Sequence, residues 1–186
     1  MRRAIVVGRS AAVMEEYAAA CALCVFDEVL VVGEMGVHFP DRIDHWVSFH
    51  VELFDHWSAL RSAAGYSPAG TFWGAIYNGR RLGASTTMCR PLEYVPCVGG
   101  SSGYMAVQVA LGPRACSHVV LAGVPLEAAA AHHDSALPWR EAEKYWATWT
   151  EHMDELQGKV KSMSGRTRAT LGEPTREWLD GGLSGS

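Results

Sequence analysis

Three short apolar runs constrain this chain most, because each one stops at a glycine. Arg3–Val7 ends at Gly8, Asp27–Val32 at Gly33 and Ser117–Ala122 at Gly123. Such runs show no polar alternation, which suits strands covered on both faces, as in a parallel sheet. Helical patterns lie between them. Ser10 is placed to cap a helix running to about Cys24, and Leu53, Trp57 and Leu60 mark another that ends before Gly65. Alternating strands and helices with short connections predict an α/β fold, with a Rossmann-like, mostly parallel sheet and helices on both faces. There is no internal repeat and no linker. The reading is therefore one α/β domain over residues 1–180 and a flexible tail over 181–186.

The remaining elements are less regular. Asp44–His50 alternates and reads as a third strand. Thr71–Tyr77 and Gly83–Met88 look extended, with Asn78-Gly79 between them as a hairpin turn. Pro91 and Pro96 punctuate a loop. Gly99 to Gly103 then opens a helix that is apolar nearly all round and so predicted to be buried. Glu127–Asp134 reads as a loop. A long helix follows from Pro138, striped by Trp139, Ala142, Trp146, Trp149, Met153 and Leu156. That stripe is core or a homo-oligomer interface. Val160–Met163 reads as a last strand, with short helical pieces at Thr167–Leu171 and Pro174–Leu179.

Composition removes several classes. Twenty acidic against sixteen basic residues give a net charge of −4, so no nucleic-acid footprint covers the whole chain. The longest apolar run, Ala18–Phe26, falls far short of the ~20 residues of a membrane span. The apolar stretch after Met1-Arg2-Arg3 is too short for a signal-peptide core. The five cysteines are too few and too irregular for a disulfide scaffold, and Cys21-x-x-Cys24 falls on a predicted helix stripe with Met14 and Tyr17. The expected compartment is the cytoplasm.

In open α/β sheets ligands lie beyond the carboxyl ends of the strands. Those ends here are Gly8-Arg9-Ser10, Gly33-Glu34, His50 and the stretch from Gly123. The Gly99-to-Gly103 loop adds a helix start. Glycine at Gly100 and Gly103 lets backbone amides approach a ligand, Ser101 and Ser102 supply hydroxyls, and the helix N-terminus carries partial positive charge. Together they suit a phosphate. No Lys-Ser/Thr pair makes the loop a P-loop, and Gly8 lacks the further glycines of a dinucleotide fingerprint. A glycine-rich turn capped by Ser102 fits the same residues. His132-His133-Asp134 offers an imidazole for proton transfer with a carboxylate beside it. His45, His50 and His56 do not have zinc-site spacing, so no metal site is expected.

The stretch Gly100 to Gly112, followed by Val119 to Leu126, resembles bacterial sialyltransferases of the Campylobacter type. There a Ser-Gly-x-Tyr-Met helix leads through Ala-x-x-Leu-Gly to a strand ending in Leu-x-Gly-x-Asp. Related motifs occur in the archaeal hydroxymethylpterin diphosphokinase-like group. The overall pattern is most similar to uncharacterised phage and prophage proteins, which share a terminal Ser-Met-Ser-Gly-x-Thr segment, here Ser162 to Thr167. The resemblance implies a donor nucleotide near Gly8 and Ser10, donor phosphate at Ser102 and Gly103, and a general base at His133 or His132. This chain departs from the pattern at Arg9, at Gly33-Glu34 where an asparagine is expected, and at Pro125 where the strand-end aspartate stands.

The expectation is a glycosyltransferase-like enzyme that uses a nucleotide-sugar donor as substrate, with a histidine base and no metal or tightly bound cofactor. Its setting would be the cytoplasm of a bacterial or phage-infected cell. Two alternatives remain. One is diphosphate or nucleotidyl transfer to a small heterocycle, with Mg²⁺ held by Glu34 and Asp134. The other is a non-catalytic nucleotide- or protein-binding member of the fold.

Overall fold

A computed structural model describes residues 1–82, 92–128, 131–133, 135–138 and 141–181. Its centre is strand β1 (Arg3–Val7), whose residues Ala4 to Val7 are fully buried. Both edges of β1 are paired in parallel, with β2 (Glu28–Val32) on one side and β7 (His118–Ala122) on the other. Beyond β2 the sheet continues through β3 (His45–Val47) and β4 (Thr71–Tyr77), again in parallel. On the far side β7 pairs with β10 (Val160–Ser162). β4 carries the parallel β6 (Leu92–Pro96) and the short antiparallel β5 (Arg80–Arg81), completing an eight-stranded sheet. The result is a single-sheet α/β architecture, compatible with a Rossmann-like fold.

Side-chain alternation divides the core in two. Ala4, Val6, Leu30, Val47 and Leu121 face α4 (Ser102–Leu111), α5 (Ala142–Glu151), α6 (Met153–Leu156) and α7 (Gly165–Leu171). Ile5, Val7, Val31, Trp46 and Val120 face α1 (Val13–Leu23), α2 (Met35–His38), α3 (Phe54–Ala63) and α8 (Arg176–Leu179). α4 packs on β1, β2, β3, β6 and β7, which is why Gly103 through Val107, Val109 and Ala110 are all buried.

Several boundaries differ from the sequence reading. β3 stops at Val47 because Ser48 Oγ accepts from the His50 amide at 2.9 Å and turns the chain. Leu92–Pro96, read as loop, is the edge strand β6, where a proline is tolerated. Asn78 and Gly79, both at positive φ, do form the β4–β5 turn. Residues 83–91 lie outside the described set. The stretch read as a loop includes β8 (Ala131–His132), paired with β9 (Ser135–Pro138), so Pro138 ends a strand and does not open a helix. The striped segment is two helices, divided at His152. Its Trp149 is fully buried edge-on against Tyr104, so that part of the stripe serves the chain's own core. Trp139 and the tail residues 182–186 lie outside the described set. Cys21 is exposed and not a core residue.

The opposite, amino-terminal edge of the sheet holds a buried ionic cluster. Glu28 opens β2 and pairs with Arg2, with Arg114 Nη2 at 2.8 Å and with His45 Nε2 at 2.8 Å. His45 Nδ1 accepts from Trp73 Nε1 at 3.1 Å, so its proton sits on Nε2 and is donated to Glu28. Burial pushes the Glu28 carboxyl up, but the hydrogen bond from Arg114 and the contact with His45 outweigh it and hold it below the usual 4.5. Burial holds the His45 imidazole below its usual 6.5, against the pull of Glu28. Both groups bind protons more readily in the unfolded chain. Stability from this cluster is therefore complete above about pH 6.5 and is lost as pH falls, first through His45 and then through Glu28. Replacing Glu28 by Gln should cost about 1–3 kcal/mol at neutral pH, since its arginine partners are partly exposed and what is lost is chiefly charge-assisted hydrogen bonding, and should flatten the acid limb of a urea-stability profile.

Candidate functional site

The chain order of the sheet reverses at β1. After β1 the strands run outward through β2, β3 and β4 to β6, then α4 returns the chain to β7 on the other side. The loops leaving β1 and β7 therefore diverge, and a crevice opens between them at their carboxyl ends. That crevice is a cleft of about 370 Å³, within the range of small-ligand sites.

Two hydrogen bonds carry the β1–β7 ladder past the strands. The Gly8 amide donates to Ala122 O at 2.7 Å and the Ser10 amide to Gly123 O at 3.2 Å. The approach is so close that a Cβ on Gly8 would fall 2.1 Å from Gly123 O. The Gly123 amide in turn donates to Glu16 Oε2 at 2.7 Å, tying β7's loop to α1.

The cleft gathers Gly8, Arg9 and Ser10 after β1, Gly33 and Glu34 after β2, and His50 after β3. Ser101, Ser102 and Gly103 at the start of α4 complete this wall. Gly100 does not line it; it turns at φ +80° and packs against Thr148. The cap of α4 is Ser101 and not Ser102: its Oγ accepts from the Tyr104 amide at 3.3 Å. The amides of Ser102 and Gly103 then have no acceptor within the helix, and both residues line the cleft. Ser102 Oγ accepts from the Phe49 amide at 3.4 Å. Ser10 does not cap α1. Its Oγ is buried without a hydrogen-bond partner, with the residue 9% exposed, on the cleft wall. Arg9 Nη2 and Glu34 Oε2 pair at 2.9 Å.

The histidines separate. His50 lines the cleft, with Nδ1 3.1 Å from Glu52 Oε1. His133 is near the cleft but not in its lining. Its amide donates to Arg9 O at 2.8 Å, and its exposed ring lies 5.7 Å from that of His38. His132 belongs to β8, and Asp134 lies outside the described residues. Among the described residues there is no cluster of three or more His, Cys, Asp or Glu that could hold a metal ion.

The sequence reading missed the apolar side of the cleft, formed by Val32, Phe49, Leu53, Trp57 and Tyr145. The spacing of Leu53 and Trp57 marks a core face equally well, and Val32, Phe49 and Tyr145 carry no sequence signal that distinguishes them from core. Burial and the Glu141 carboxylate push the Tyr145 phenol up to about 12, which keeps it a hydrogen-bond donor near neutral pH. Also missed was the clamp formed by Ser162 to Thr167. Thr167 Oγ1 donates to Val124 O at 2.6 Å and meets Ser162 Oγ at 2.8 Å, both residues fully buried. The Arg166 amide donates to Pro125 O at 2.9 Å, and a Cβ on Gly165 would lie 2.4 Å from Pro125 Cβ. The clamp fixes Val124 and Pro125, which form the β7 wall of the cleft.

No family model, no curated protein and no solved structure matches the chain. Fold and geometry together define an α/β protein with a cleft of small-molecule size at the topological switch point. No helix among the described residues is long and apolar enough to cross a membrane.

Two substitutions test this construction. Thr167→Val keeps the shape but leaves Val124 O without its donor, and should lower stability by about 1–3 kcal/mol in urea unfolding, with Thr167→Ser close to wild type. Gly8→Ala drives a methyl into Gly123 backbone and should cost about 3 kcal/mol by the same measurement.

Proposed function

We propose that the cleft binds the phosphate of a nucleotide sugar and that the protein is a glycosyltransferase-like enzyme. The observation that carries this reading is the set of unfilled donors on one wall. The Ser102 and Gly103 amides sit at a helix N-terminus, and the buried, unpartnered Ser10 hydroxyl belongs to a residue lining the same cleft. Such donors suit an anion, and they act on charge that develops as a phosphate leaves. The aromatic side, Phe49, Trp57 and Tyr145, suits a base or sugar ring.

In this reaction an acceptor hydroxyl forms a bond to the sugar's anomeric carbon as the bond from that carbon to the phosphate oxygen breaks. The hydroxyl proton passes to an imidazole, and the nucleotide leaves with its new negative charge on the amides and Ser10. His50 fits the role of base because it lines the cleft, whereas His133 is not among the lining residues. A positioned base contributes roughly a hundredfold to ten-thousandfold. No step requires a metal ion, since the donors of α4 and Ser10 meet the leaving charge.

The alternative that places Mg²⁺ on Glu34 and Asp134 has the first of these carboxylates on the cleft wall, paired there with Arg9.

Amide shifts of Ser101 to Tyr104 during titration with UDP-, GDP- and CMP-linked sugars test the donor site. Saturable shifts in that loop, at Ser10 and along the Phe49, Trp57 and Tyr145 side of the cleft are expected; the absence of any response to all three donors would sink the reading. Where a donor binds, its slow hydrolysis should persist in a chelator and fall at least tenfold in His50→Gln. A larger fall in His133→Gln would return the base to the β8–β9 turn, and dependence on added Mg²⁺ would favour the phosphoryl-transfer alternative.

A further inference from the structure

Arg9 and Glu34 both line the cleft, yet each holds the other. Arg9 follows β1 and Glu34 follows β2, so their 2.9 Å contact bridges two neighbouring loops. The side chains are 31% and 38% exposed, which makes this a partly hydrated and weak ion pair. The backbone beneath Arg9 is fixed. Gly8 and Ser10 bond to Ala122 and Gly123, and the Arg9 carbonyl accepts from the His133 amide. The guanidinium can therefore change partner by rotation of its side chain, with no movement of the loop.

A phosphate seated on the Ser102 and Gly103 amides and on Ser10 would place a second anion in the same 370 Å³ space. It carries more acceptor oxygens than a carboxylate, in a geometry that the planar guanidinium meets through two hydrogen bonds. We infer that the Arg9–Glu34 pair is a latch displaced by the ligand's phosphate. In the empty cleft Glu34 holds the guanidinium and neutralises it. An entering phosphate takes the guanidinium over, and Glu34 is released toward solvent. The inference rests on the phosphate reading of the cleft and adds two residues to it: Arg9 as the counter-charge and Glu34 as its competitor. The competitor discriminates against weakly charged ligands, since only an anion that binds Arg9 better than a carboxylate does opens the latch.

A double-mutant cycle with inorganic pyrophosphate as the probe tests this, read from amide shifts at Ser102 and Gly103, with thermal melting as the check that each variant is folded. Glu34→Gln should tighten pyrophosphate about threefold to fivefold by removing the competitor. Arg9→Gln should weaken it about tenfold or more. In the Arg9→Gln background the Glu34→Gln gain should vanish. A gain of equal size without Arg9 would mean that Glu34 acts only through net charge, and the latch would be wrong. No gain in the Arg9 background would also overturn it. Failure of wild-type Ser102 and Gly103 to respond to pyrophosphate would instead remove the phosphate site itself, and the latch with it.

Discussion

Everything on the cleft side of the sheet depends on how closely β1 and β7 run at their carboxyl ends. The two strands are hydrogen-bonded along their length, and the ladder continues through Gly8 and Ser10 into Ala122 and Gly123. Only a residue without a side chain fits at Gly8, because Gly123 O stands where a Cβ would be. That contact fixes the origin of two loops that then diverge. The crevice between them is a consequence of chain order: the sheet grows away from β1 in one direction, and α4 must carry the chain back across its face to begin again at β7. The same return journey brings the amino terminus of α4 over the crevice, so the buried helix and the cleft have one cause.

The walls of the cleft are held from outside it. Glu16 of α1 accepts from the Gly123 amide, and the Ser162-to-Thr167 segment clamps Val124 and Pro125 from beyond β10. Ser102 bonds the Phe49 amide and so ties α4 to the loop after β3. The Ser10 hydroxyl is one of several buried polar atoms without a hydrogen-bond partner, with Ser58 Oγ, Trp149 Nε1 and Ser164 Oγ among the others; unlike those three it belongs to a residue that lines the cleft, where a bound anion would give it one. The ionic cluster of Glu28, His45 and Arg114 lies at the other end of the strands, where Glu28 and both ring nitrogens of His45 are paired within the protein, which suits a structural role.

The central strand is legible because its signal is local: Arg3–Val7 has the bounds its sequence suggests, and Thr71–Tyr77 shows its extended bounds but not its parallel pairing with β3 and β6. The glycines at strand ends likewise located the loops that line the cleft. β6 was not legible, since Leu-Glu-Tyr-Val-Pro becomes a strand only through its partner β4. The break at His152 escaped because a stripe of apolar residues continues straight through it. Helical spacing says nothing about whether Trp57 and Tyr145 face a core or a cavity. His133 was assigned by its order in the chain, and its place depends on the β8–β9 pairing, which short polar and small residues do not announce. The Ser162-to-Thr167 segment stood out as a pattern, but its role emerges only when Thr167 is seen against Val124.

The most direct test of the central claim, that α4 and the β1 loop together form a phosphate site, is a crystal structure of the protein grown with a nucleoside diphosphate. The account predicts phosphate density within hydrogen-bonding distance of the Ser102 and Gly103 amides and of Ser10 Oγ. A nucleotide bound elsewhere on the molecule, with those three groups unchanged, would contradict it.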